Sequence, residues 1–143
     1  MKFRKLLLIL PLLLLAGCKD PYGASAKAAA DIATGINAGM TTIGSLQQQG
    51  VITKAEALNV LGYMEYANKG DEAFTSCIQT AHTSGSKAGS FTACAQTFNA
   101  ALNNPAELAL IHVSNSQASG TISTIVNGVT TAVAAIITGL GGA

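Results

Sequence analysis

The chain has 143 residues, 49% hydrophobic and only 10% charged, with no Trp and a formal net charge of +1. Its single arginine, Arg4, sits near the start; from residue 18 onward five lysines (19, 27, 54, 69, 87) face seven carboxylates, a formal charge of −2. The absence of a basic stripe and of interleaved aromatics disfavours a nucleic-acid role, and the length suits one domain with a modest core rather than two.

Lys2, Arg4 and Lys5 form a positive n-region, and Leu6 to Leu15, interrupted only by Pro11, form an apolar h-region. That run falls short of the roughly 20 apolar residues a transmembrane helix needs. Residues 1–17 therefore read as a cleaved signal peptide. The end of the run, Leu15-Ala16-Gly17-Cys18, resembles the lipobox of bacterial lipoproteins. The resemblance covers the first 18 residues and implies diacylglycerol transfer to the Cys18 thiol, cleavage just before it, and often a third acyl chain such as palmitate on the new amine. Two or more chains anchor a protein stably to a membrane. Lys19, where the sorting rule of that class reads Asp as retention at the inner membrane, favours the outer membrane, facing the periplasm.

Residues 18–23, with Pro21 and Gly23, read as a lipidated tether, and 24–143 as an α-helical bundle domain. Ala29, Ile32, Ile36, Met40, Ile43 and Leu46 recur at helical spacing and predict a first helix ending at Gly50. Gly35 and Gly39 form a small-xxx-small pair on it, suited to a close helix crossing. Thr53-Lys54-Ala55-Glu56 is a capping box for a second helix that runs to about Thr83. Val60, Met64, Ala67, Phe74, Ile78 and Ala81 line its face, and Gly70-Asp71 is a candidate break, with Asp71 capping a restarted helix. Ser84 to Ser90 is a loop. A third helix is expected from a Ser90 cap, with Phe91, Cys94, Ala95, Phe98 and Leu102 on its face. Asn104, Pro105 and Glu107 then signal the start of a fourth element reaching about Thr138. No sustained two-residue alternation occurs. The expected fold is all-α: an elongated antiparallel bundle of three to four helices.

Cys77 and Cys94 lie almost symmetrically about the 84–90 loop, which places them at one level of an antiparallel hairpin, each on an apolar helix face. In an oxidising compartment they are expected to form one interhelical disulfide; two buried free thiols are the alternative, and redox catalysis lacks its CxxC.

After Glu107 no charged residue occurs. Ile122, Val126, Val129, Val133, Ile136 or Ile137, and Leu140 form one face; Ser123, Thr124, Asn127, Thr130, Thr131 and Thr138 form the other. The pattern fits a bundle helix with an exposed hydroxyl face, while length and lack of charge also admit a membrane-inserted or oligomer-lining helix over 121–140.

His82 and His112 stand alone without metal-ligand spacing, and no nucleophile, phosphate or dinucleotide motif is present. Glu65, Asp71 and Glu72 are candidates for an acidic cluster, but Glu65 and Glu72 read better as solvated faces and Asp71 as a cap after Gly70. No metal, cofactor or catalytic residue is expected. The sequence points to a non-catalytic, lipid-anchored envelope protein that presents its bundle to an envelope partner or the cell wall. The alternatives are a membrane-active or pore-forming protein acting through 121–140, and a carrier of a small apolar ligand between helices.

Overall fold

The structure, a computed structural model, describes residues 20–141. Among these residues it is all-α: α1 (Pro21–Gln48), α2 (Lys54–Thr83), α3 (Ala88–Leu102), the one-turn α4 (Pro105–Leu108) with its 3-10 continuation (Ala109–Ile111), and α5 (Ser116–Gly141). Helix α1 packs against α2 and α5, and α3 packs against the same pair. The four close into an up-down-up-down bundle. At 1.5 Å per residue, α1 and α2 are each about 40 to 45 Å long.

The two tight turns are set by glycine. Gly50 has φ +69° and Gly85 φ +64°, in the left-handed region where an L side chain is strained. In each, the glycine N–H and the next residue's N–H close a Schellman pair on the helix behind: Gly50 to Gln47 and Val51 to Leu46, Gly85 to His82 and Ser86 to Ala81. Thr53 and Glu56 form the expected capping box, Thr53 Oγ1 accepting from the Glu56 N–H while Glu56 Oε2 accepts from the Thr53 N–H.

Four boundaries differ from the sequence reading. The expected tether is already helical from Pro21, because the Asp20 carboxylate accepts the Tyr22 N–H at 3.0 Å and Pro21 occupies the first helical position. Helix α3 starts at Ala88, with Lys87 at the cap position and no side-chain cap from Ser90. The fourth element is not continuous: Asn104 caps only α4, the chain leaves helix after Ile111, and Asn115 Oδ1 accepts the Ala118 N–H to start α5. Gly70 does not break α2, which runs unbroken to Thr83.

The reason Gly70 stays is steric. A Cβ there would stand 2.8 Å from Phe98 Cε2 and 2.9 Å from Cδ2, so the absent side chain is the seat of a ring on α3. Phe98 also stacks on Phe74, with centroids 5.7 Å apart, and both are buried. At Gly39 a Cβ would meet Ile125 Cγ2 at 2.8 Å, so this glycine admits α5. Gly35 has open space around it, so only one member of the expected glycine pair serves a crossing.

The remaining core follows the expected rows. Ala29, Ile32, Ile36 and Ile43 are buried on α1, with Met40 and Leu46 partly so; Ile122, Val126, Val129, Val133, Ile136 and Leu140 are buried on α5. Tyr63 spans α2 and α3, its buried hydroxyl donating to the Leu102 carbonyl at 3.1 Å and satisfying one of the unpaired acceptors at the end of α3.

Two glycine substitutions should separate these roles in urea denaturation. Gly35→Ala, into open space, should stabilise by about 0.5 to 1 kcal/mol through helix propensity. Gly70→Ala should destabilise by about 1 to 3 kcal/mol, because overpacking against a pinned ring outweighs the same propensity gain.

Candidate functional site

The signal peptide, the lipobox and Cys18 lie outside the described residues. Cys77 and Cys94 are disulfide-bonded, with Cα atoms 5.8 Å apart, joining α2 to α3. A crosslink closing a loop of this size contributes about 3 kcal/mol in the chain-entropy account. Cys94 is buried, whereas Cys77 is exposed on the outer side of α2 rather than on its apolar face.

Glu65, Asp71 and Glu72 do not form a cluster, and the two glutamates are solvated as the sequence suggested. Glu65 and Glu72 are exposed, while Asp71 is buried, at 5% exposure. His82 is exposed and stacks flat on Tyr22, ring centroids 3.9 Å apart; His112 is exposed. Among the described residues no group of His, Cys, Asp or Glu is placed to hold a metal ion.

Asp71 instead lines a groove between α1 and α2. The α1 wall is Tyr22 and a row of alanines that includes Ala26, Ala29 and Ala33; the α2 wall is Asp71, Thr75, Ile78 and Gln79. Alanine side chains are too short to fill the space between the helices, which leaves about 250 Å³ open to the side of the bundle. One Asp71 oxygen, Oδ1, is buried without a hydrogen-bond partner. Burial first, and the neighbouring Glu72 charge second, push its carboxyl up to about 6. The carboxyl is the polar centre of an otherwise largely apolar recess.

Glu56, at the opposite end of the bundle, has the reverse environment. Its Oε1 accepts the Ser114 N–H at 2.7 Å and its Oε2 accepts from Thr53, so hydrogen bonds hold its pKa down at about 2. Glu56 is thereby a clamp: it ties the connection before α5 to the start of α2. Its contact with Ser114 crosses 58 residues of sequence and left no signal in the local pattern.

No protein-family model matches the chain, and no curated protein or solved structure is similar to it.

The two perturbed carboxyls predict a stability profile with a maximum. Asp71 holds its proton more tightly folded than unfolded, so its penalty is absent below about pH 4 and grows as pH rises to about 6. Glu56 contributes stability above its ordinary value of 4.5 that is lost as pH falls toward 2. Thermal melting should therefore be highest near pH 4 to 5. Asp71→Asn should flatten the decline above that range, and Glu56→Gln the decline below it.

Proposed function

We propose that the chain is a non-catalytic bacterial lipoprotein of the cell envelope, held by acyl chains on Cys18, that presents a disulfide-stapled helical bundle to an envelope partner on the periplasmic side of the outer membrane. What supports the reading beyond the motif at Leu15-Ala16-Gly17-Cys18 is the spacing between anchor and fold. Helix α1 begins at Pro21, so three residue steps, at most about 10 Å of chain, separate it from the lipidated cysteine. The near end of the bundle is thereby held close to the membrane surface.

Orientation follows from connectivity. The end bearing Tyr22, His82, the 84–87 turn and Leu140 faces the bilayer; the α1–α2 turn and the 112–115 connection stand about 40 to 45 Å away. Leu58, 60% exposed in the first turns of α2, lies toward that distal end. Tethering raises the local concentration of this surface near other membrane-held proteins without any added contact.

The competing reading makes α5 the functional element. By length and composition α5 could cross a membrane. Its apolar row, however, packs inside the bundle, and its exposed positions from 123 onward are Ser123, Thr124, Asn127, Gly128, Thr131, Ala134, Thr138 and Gly139. Insertion would turn the Asn127 amide and the Ser123 and Thr131 hydroxyls toward lipid, where unsatisfied polar groups are costly; Thr124 and Thr138 are already bonded to the carbonyl one turn back.

The deciding measurement is membrane partition of a Cys18→Ala variant exported through a non-lipoprotein signal, followed by an alkaline carbonate wash. The anchored-bundle reading expects a soluble, monodisperse, helical protein. Retention in the washed membrane would overturn it in favour of α5.

A further inference from the structure

Besides the Tyr63 hydroxyl, which is bonded to Leu102, two polar side chains are buried among the described residues, Ser25 and Asp71. Ser25 is satisfied, donating to the Pro21 carbonyl at 2.8 Å; Asp71 is not. No neighbouring element supplies a cation to it. Helices α3 and α5 carry no charged side chain at all. On α1 the one lysine, Lys27, is paired with Asp31 at 2.8 Å on the exposed face. The adjacent charge on α2 itself, Glu72, is of the same sign.

A carboxylate largely withdrawn from water, with one oxygen buried and unpartnered, is costly, so such groups are normally paired or absent. Here the missing partner has a place to enter. The groove runs beside Asp71 past Thr75 and Ile78 to Gln79, a length of about 12 Å by helix rise, and its far wall is alanine. Its volume, about 250 Å³, is small for an organic ligand site. Carboxylate at one end, methyl groups along the walls: the complement is a slim apolar chain with a positive head.

From this complementarity we propose that the α1–α2 groove is a binding site for a primary ammonium borne on a short aliphatic chain, either a free alkylamine or a lysine-type side chain. The ammonium pairs with the Asp71 carboxylate and the methylenes lie along Ala26, Ala29 and Ala33. The site is built from described residues alone and does not depend on the lipid anchor, so its failure would leave the anchored-bundle reading untouched.

The test titrates the full mature chain, carrying Cys18→Ala, with pentylammonium, with neutral 1-pentanol and with Nα-acetyl-lysine amide, followed by amide chemical shifts in NMR at neutral pH. Saturable shifts at Ala26, Ala33, Asp71 and Thr75 are expected with pentylammonium, with affinity about tenfold or more above that for pentanol. Asp71→Asn should lose that preference while keeping its helical circular dichroism, and Ala33→Leu, which fills the groove but leaves the carboxylate, should abolish binding. Affinity should also fall as pH drops from 7.5 to 5 and Asp71 takes up its proton. Tighter binding of the lysine amide would identify a peptide side chain as the natural head, and tighter binding of pentylammonium a free amine. Equal affinity for pentanol, unchanged binding in Asp71→Asn, shifts confined elsewhere, or no saturable shift would each overturn the proposal.

Discussion

Helix α2 is the reference rod of this protein, and its uninterrupted passage through Gly70 is the constraint on which the rest depends. Four ties along it fix the second half of the chain at successive levels. Glu56 accepts the Ser114 N–H, Tyr63 donates to the Leu102 carbonyl, Gly70 seats the Phe98 ring, and Cys77 is bonded to Cys94. Read from Cys77 up to Glu56, the partners run from 94 to 98, 102 and 114, so α3 and the 105–113 segment climb α2 in one direction before α5 returns. A kink at Gly70 would destroy that register. The short α3 is thus extended by α4 and the 3-10 turn into a composite third column, long enough to let α5 run the height of the bundle.

The scarcity of charge has two structural outcomes. Surface ion pairing is minimal among the described residues: Lys27 with Asp31 is exposed on both sides, and such a pair contributes little. Hydroxyls take over instead, with Thr34, Thr41, Thr80, Thr97, Thr121, Thr124 and Thr138 donating to the carbonyl one turn back. These bonds satisfy the threonines locally and need no partner across the surface. Stability must then come from the apolar rows, the caps and the disulfide.

Most of the architecture was legible because helices announce themselves twice, in apolar spacing and in caps. The Thr53–Glu56 box, the Gly50 stop, the 84–90 loop and the α5 row were all read from local pattern. Two kinds of feature were not. Where apolar residues continue across a break, as Leu108, Leu110, Ile111 and Val113 do, spacing alone joins α4 to α5, although Asn115 offers the new cap. Residues whose role is to be small or polar for a distant neighbour, Gly70 for Phe98 and Glu56 for Ser114, carry only their local meaning, breaker and cap. Asp71 combines both difficulties. The α2 core row runs 60, 64, 67, 71, 74, 78, 81, alternating steps of four and three, so position 71 falls on the buried seam. Read from residue type, the aspartate suggested an exposed cap; read from position, it had to be buried.

That conflict between type and position bears on why the residue is there. A leucine or methionine at 71 would continue the seam, fill the space beside the alanines and remove an uncompensated charge, and apolar replacements of buried ions are often neutral or stabilising. The alanines of α1 point the same way, since larger side chains at 26, 29 and 33 would close the groove and strengthen the α1–α2 contact. Both departures from the stablest packing occur at one place, on facing helices, and nowhere else along the seam is a charge buried among the described residues. Sequences that specify a fold consistently tend to break their own rules where something other than stability is served. The α1–α2 groove is where this bundle breaks them.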